Sequence, residues 1–244
     1  MMEYLLFAIY IFLAYLIFQH VIGPILIYEN EAAPFRYQFT LLDPESFMED
    51  RNDVFRADHE KLLELGFRFV GSSKLARTNA TMYFSLYSHD EKCIAATLVT
   101  GLSKLGEMNF LEITQVYSDK SILSVSNSPM ISTYPAMKHK KAFRFPDIDD
   151  CGRLFELFEL VRSRFSSNIE PLGFTIGKEF RAVENYLNEE LRYLIENGYY
   201  SDSPENGEFK LTIKGAILFT WKNLWPWKNF VEVLERRAAI KAIS

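Results

Sequence analysis

Histidine and cysteine are the side chains best suited to move protons, attack carbonyls or hold a metal near neutral pH, and this sequence has four of the first and two of the second. His20, His59, His89 and His139 show no metal-ligand spacing, and His20 falls inside an apolar run. Cys93 and Cys151 lie far apart and form no C-x-x-C pair, which argues against a disulfide framework or a thiolate metal site. A Cys–His pair assembled in space, such as Cys93 or Cys151 with His89, is left open by the sequence and would make the chain a hydrolase. The stretch Gly173-Phe174-Thr175-Ile176-Gly177-Lys178-Glu179 is one residue short of the phosphate-loop spacing G-x-x-x-x-G-K-[ST], and Glu179 stands where a hydroxyl would hold Mg²⁺. There is no G-x-S-x-G, no H-E-x-x-H and no dinucleotide fingerprint. The residues therefore point to no catalytic side chain, no metal site and no cofactor.

Two clusters suit binding instead. Lys138, His139, Lys140, Lys141 and Arg144 form the densest basic run in the chain. Beside an anionic membrane each such cation contributes about 1 kcal/mol; the same charges would suit nucleic acid or an acidic protein, or lie on a solvated loop. The second cluster runs from Phe219 to Phe230, where Trp221, Trp225 and Trp227, all the tryptophans present, interleave with Lys222 and Lys228. Trp beside Lys is the composition of a membrane interface, where the ring sits at headgroup depth and the ammonium stays wet. It is equally the composition of a core with snorkelling lysines. A net charge of −5 and a pI near 5.5 mean that no global basic field draws in nucleic acid or acidic lipid, so any such binding must be local.

The element that would position these clusters is the first one. Tyr4 to Tyr28 contains no Asp, Glu, Lys or Arg, and roughly 25 helical residues are enough to cross a hydrocarbon core about 30 Å thick. The expectation is a single transmembrane helix, residues 4–28, with Gly23-Pro24 kinking or ending it locally. His20 is then a polar residue placed near an interface or lining the kink. A cleaved signal peptide would need a basic start and a small-x-small site, whereas the chain reads Met1-Met2-Glu3 and the later small pair Ala32-Ala33 follows Glu31. Arg36 shortly after the span biases the body toward the cytoplasm. The sequon Asn79-Ala80-Thr81 would matter only on a lumenal side.

Residues 29–44 read as a polar, proline-marked connector. A helical pattern through Phe47, Val54, Leu62, Leu63 and Leu65 is stopped by Gly66. Then come strands. Met82, Phe84 and Leu86 alternate against Tyr83, Ser85 and Tyr87, and Cys93 to Val99 returns after the polar turn Ser88 to Lys92. A second hairpin runs from Asn109 to Tyr117 and back through Ser121 to Ser126. Consecutive hairpins imply an antiparallel meander that needs cover on one face. A helix from about Asp149 to Phe165 supplies it, with Leu154, Leu157, Phe158, Val161 and Phe165 at helical spacing and acidic residues at its start. The sum is an α+β domain over residues 45–166.

From Gly177 the spacing of Phe180, Val183, Leu187, Leu191 and Leu194 predicts a helix ending at Asn197-Gly198. Tyr199-Tyr200, a turn at Pro204-Glu205-Asn206-Gly207 and Phe209-Lys210-Leu211-Thr212-Ile213-Lys214-Gly215-Ala216 follow. Over residues 177–221 this order resembles the recognition helix and wing of winged-helix proteins. The resemblance implies that Leu211 is core and that Thr212 begins the next helix, within a small winged-helix-like domain over residues 177–244. It departs from the DNA readers of that family: the helix carries Glu184, Glu189, Glu190 and Glu196 against Arg181 and Arg192, and the turn carries Asp202, Glu205 and Glu208. Such a surface repels a duplex, so the module is expected to bind protein or to pack. The order of parts is also similar to that of bacterial membrane-anchored proteins, a likeness that implies no activity.

The expectation is thus a single-pass cell-membrane protein whose C-terminal body, facing the cytoplasm, is an interaction or regulatory module, with the lipid bilayer and a membrane-bound protein as partners. The alternatives are a membrane-tethered regulator touching nucleic acid through Lys138 to Arg144, and the Cys–His hydrolase.

Overall fold

The apolar run folds as helix despite its proline. In the computed structural model, which describes residues 2–76, 81–103, 106–165 and 169–244, α1 (Met2–Ile17) passes through one wide π turn (Phe18–Ile22) into α2 (Gly23–Asn30). Gly23-Pro24 was expected to kink or end the helix, but Pro24 stands in the first turn of α2, where its missing N–H is least costly. Asn79 and Ala80 of the sequon lie outside the described residues. With 47% helix and 26% strand the chain is mixed α+β, and it divides into two units.

The sheet unit comprises residues 38–130, 136–186 and 234–244. The helical pattern expected after residue 44 is two helices, α3 (Pro44–Glu49) and α4 (Asp53–Glu64), because Asn52 interrupts it and caps the second, accepting a hydrogen bond from the Phe55 N–H at 2.8 Å. Gly66, at φ +88°, ends α4 as predicted. After the short strands β1 (Ala32–Pro34) and β2 (Thr40–Leu41), the meander follows as β3 (Arg68–Ala76), β4 (Thr81–His89), β5 (Ile94–Ser103), β6 (Gly106–Tyr117) and β7 (Ile122–Ser126), each strand of it antiparallel to the next. Asp119 accepts from the Ser121 N–H and Lys120 takes φ +67°, closing the β6–β7 turn. Two further edges were not visible locally. Thr40–Leu41, inside the expected connector, pairs with β3, and Lys140–Arg144, read as part of a basic loop, is a strand parallel to β7. Such pairings are made across long stretches of chain, so nothing in the immediate sequence announces them.

The helix Cys151–Phe165 covers the sheet with fully buried Leu154 and Phe158, and Asp150 caps it by accepting from the Arg153 N–H. Each such side chain stabilises by about 2 kcal/mol, well above the few tenths expected of the exposed Arg153–Glu156 pair on its outer face. The covered face corrects the simplest view of β4. Tyr83 and Tyr87 join the main core with Phe55, Leu98, Leu111 and Ile113, whereas Phe84 on the opposite face packs on Phe39, 5.3 Å away, which in turn meets Phe180. A tyrosine ring is large and apolar enough to fill a core. The Tyr87 hydroxyl and His59 Nδ1 are 2.9 Å apart.

The helix unit comprises residues 1–37, 131–135 and 187–233. Ala32–Pro34 pairs antiparallel with Glu208–Lys210, burying Ala33, Leu191 and Phe209 together. The helix Glu179–Glu196, which crosses the division between units, ends as expected at Gly198 (φ +71°), with the Tyr199 N–H on the Leu194 carbonyl. Lys214 donates to the Asn197 carbonyl at 2.6 Å, a cation at the negative end of that helix. Leu211 is 2% exposed, and the Thr212 hydroxyl accepts from the Gly215 N–H to cap the helix Ile213–Asn223. Trp227–Ile243 follows after a cis Trp225–Pro226 bond.

Gly215 marks the tightest approach in this unit, since an added Cβ would overlap the Tyr199 carbonyl oxygen and press on Leu211. Gly215→Ala is expected to destabilise by about 3 kcal/mol. Urea denaturation of the detergent-solubilised chain followed by tryptophan emission checks this, because all three tryptophans lie in this unit.

Candidate functional site

The site begins with the hydrogen bonding that a proline disrupts. Pro24 has no N–H to give to the carbonyl four residues back, that of His20, and its ring crowds that oxygen. The π turn opens space there, with the Gly23 N–H reaching the Phe18 carbonyl five residues away. The freed His20 carbonyl is taken by the Trp221 indole N–H at 3.2 Å. The His20 ring turns back on its own helix, with Nδ1 3.0 Å from the Leu16 carbonyl, a contact that makes Nδ1 the donor. Gln19 donates to the Tyr15 hydroxyl at 2.6 Å. Gln19, His20 and the His20 carbonyl each thus have a hydrogen bond within the chain, which a low-dielectric surrounding favours.

Small residues let the helix Ile213–Asn223 come close enough for this. A Cβ on Gly23 would stand 2.9 Å from Thr220 Cγ2, and Thr220 folds its hydroxyl onto the Ala216 carbonyl at 2.8 Å. Trp221 stacks at a tilt 6.4 Å from His20, and Trp225 meets Phe12 edge-on at 6.3 Å. Yet these rings remain in the open: Trp221 is 43% exposed, Trp225 55% and Trp227 48%. The lysines and asparagine between them are held by protein. Lys222 donates to the Ser132 carbonyl at 3.0 Å, Asn223 to the Thr133 hydroxyl and the Phe219 carbonyl, and Lys228 lies 3.9 Å from Glu232. Sequence showed which residue types cluster here; the pairing with His20 and Phe12 needs contacts across some two hundred positions and had no local signal.

The basic run is divided within the sheet unit. Arg144 donates to Glu235 at 2.8 Å and to the Ser128 carbonyl at 3.1 Å, and its side chain is nearly covered. Lys140 places its ammonium 5.0 Å from the Tyr186 ring centre. Lys138 and Lys141 are exposed, and His139 is half-buried. Two of the five side chains are therefore engaged with the protein, which removes them from a continuous basic face.

The cysteines differ from each other. Cys151 is buried, and burial followed by the Asp58 and Asp150 charges pushes its thiol up to about 12, far from a thiolate nucleophile. Cys93 is half-exposed in the β4–β5 turn, its sulfur 3.8 Å from the Asp90 carbonyl. His89, the proposed partner, is buried with Nδ1 unbonded, and no Cys–His hydrogen bond joins it to either thiol among the described residues. No group of three His, Cys, Asp or Glu side chains converges on a metal position among the described residues.

No protein-family model matches the chain, and no curated protein or solved structure matches it.

Two predictions follow from these contacts. Trp221→Phe keeps the ring against His20 but removes the indole donor, and is expected to lower the thermal stability of the micelle-bound chain by about 1 kcal/mol, read by circular dichroism. Burial, then the Asp150 charge, push the Asp58 carboxyl from 3.8 to about 6. The folded chain therefore holds that proton more tightly than the unfolded chain. Stability falls as pH rises between those values, and the cost is fully present above them. Because the group is only partly removed from water, Asp58→Asn is expected to stabilise by about 1 kcal/mol at neutral pH. It should change little below pH 3.8, and urea unfolding at the two extremes compares them.

Proposed function

We propose that this chain is a single-pass membrane protein whose body is an interaction or regulatory module held at the bilayer surface, with lipid and a membrane-bound protein as its partners. The observation that carries the reading is the helix Met2–Asn30: it is long and apolar enough to cross a membrane, and none of its most apolar window is buried. A signal sequence shares that length and composition. What favours an anchor is the Trp221 N–H on the His20 carbonyl and the seating of Gly23 against Thr220, which make the lower part of this helix a packed component of the helix unit. A leader destined for removal has no need of such contacts. Arg36, shortly after the helix, favours a cytoplasmic body.

The order of helix, hairpin and Thr212-capped helix over residues 179–223 supports a winged-helix-like module. Buried Leu211 agrees with the core role that such a module assigns it. Its acidic helix, with Glu184, Glu189, Glu190 and Glu196, favours a protein partner over nucleic acid.

The test uses full-length protein. Ile9→Arg with Leu13→Arg adds about 3 kcal/mol of insertion cost for each charge placed near the helix centre. The variant is expected to leave the carbonate-washed membrane pellet in which the natural chain remains. Intact mass of the membrane form should retain residues 2–33. A mature chain starting beyond Ala33 would replace the anchor with a signal sequence.

A further inference from the structure

We infer that the turn Leu224-Trp225-Pro226-Trp227 enters the bilayer beside the anchor and that its exposed rings are covered by lipid acyl chains. This rests on the anchor reading and adds to it a second membrane-contacting element, with a depth set by geometry.

The depth follows from where the two segments meet. Thr220 lies at Gly23, Trp221 at His20 and Trp225 at Phe12, so the second segment runs antiparallel to the apolar helix and back along it. From Met2 to Phe12 that helix rises about 15 Å, and from Phe12 to Ile22 about another 15 Å. A hydrocarbon core about 30 Å thick therefore cannot be filled by the part above Phe12 alone. For the helix to span, acyl chains must extend past Phe12 toward the π turn. Trp225, in edge contact with Phe12, is then within the apolar zone, and Trp221, beside His20, is near its boundary.

The side chains are arranged for that placement. Trp225, Trp227 and Phe230 are 55%, 48% and 60% exposed, and Trp225 adjoins the bare surface of Phe12. Lipid is favoured over a protein as the cover because Trp225 adjoins Phe12 in a helix whose most apolar window is left bare for a bilayer to cover. The polar groups between the rings have acceptors of their own. Lys222 bonds the Ser132 carbonyl and Asn223 bonds Thr133 and Phe219, leaving the outward face to aromatic carbon. Lys228 has an aliphatic stem long enough to lie on the rings while its ammonium seeks the headgroups.

Every tryptophan of the protein lies between Trp221 and Trp227, so tryptophan emission reports on this turn and the end of the helix before it. The full-length chain is reconstituted into phosphatidylcholine vesicles, with or without bromine on the acyl chains, and separated by flotation. Vesicle-bound protein is expected to lose most of its tryptophan emission to the brominated lipid and to resist aqueous iodide. A Trp225→Phe/Trp227→Phe chain, retaining Trp221 near the boundary, is expected to be quenched less by the brominated chains. Protein that floats but is quenched by iodide and not by bromolipid overturns the inference while leaving the anchor standing. Protein that floats with emission shielded from both quenchers overturns it in favour of a second copy or another protein as the cover. Failure to float removes the anchor reading and this inference with it.

Discussion

A carbonyl without a donor governs the helix unit. Pro24 interrupts the hydrogen-bond ladder of an otherwise apolar helix, and an unmatched peptide oxygen in an apolar setting costs several kcal/mol. The π turn Phe18–Ile22 holds that oxygen, and the Trp221 indole N–H takes it. For an indole to arrive there a second helix must come within reach, which in turn requires Gly23 opposite Thr220 and the Thr212 cap that starts the second helix. One missing N–H thus accounts for a π turn, a glycine and a tryptophan. Any account of the apolar segment as an isolated greasy rod misses this coupling.

The sheet unit is held by a different economy. Its core is mostly aliphatic and aromatic, with Phe55, Leu62, Leu154 and Phe158 excluded from water; the Tyr87 hydroxyl meets His59, whereas the buried Ser73 and Tyr117 hydroxyls and His89 Nδ1 have no hydrogen-bond partner among the described residues. Asp58 is a different case, since burial and Asp150 both oppose its charge. Such a carboxyl marks a catalytic base in many enzymes. Here its neighbours include the Cys151 thiol and the Tyr87 phenol, whose own pKa values burial raises, so the surroundings disfavour charge generally without singling out one group for chemistry.

Charge placement separates residues that bind outward from residues that tie the fold. The basic run looks uniform as a string of letters. In space Arg144 is drawn in by Glu235 and the Ser128 carbonyl, and Lys140 lies over Tyr186, while Lys138 and Lys141 remain in water. Arginine is suited to the inner role because its planar fork satisfies two acceptors at once, whereas lysine extends a point charge into solvent. The tryptophan cluster shows the reverse: polar Lys222 and Asn223 are tied to the chain and the apolar rings face out.

Much of this architecture is written locally. An uncharged apolar run, alternation along β4, polar turns between hairpins, helical spacing from Leu154 to Val161, and the stop at Asn197-Gly198 each follow from the preferences of near neighbours. Those elements are present where the sequence places them. The single break at Asn52 was hidden because its capping role depends on the backbone it caps. Tertiary structure alone decided the edges of the sheet, the face of β4 that the helices cover, the fate of Arg144 and the meeting of Trp221 with His20. The reason is common to all of them. Periodicity reveals that a residue has an apolar side or a spare donor, but which distant segment meets it depends on how loops close and surfaces fit, and that information belongs to no short stretch of chain.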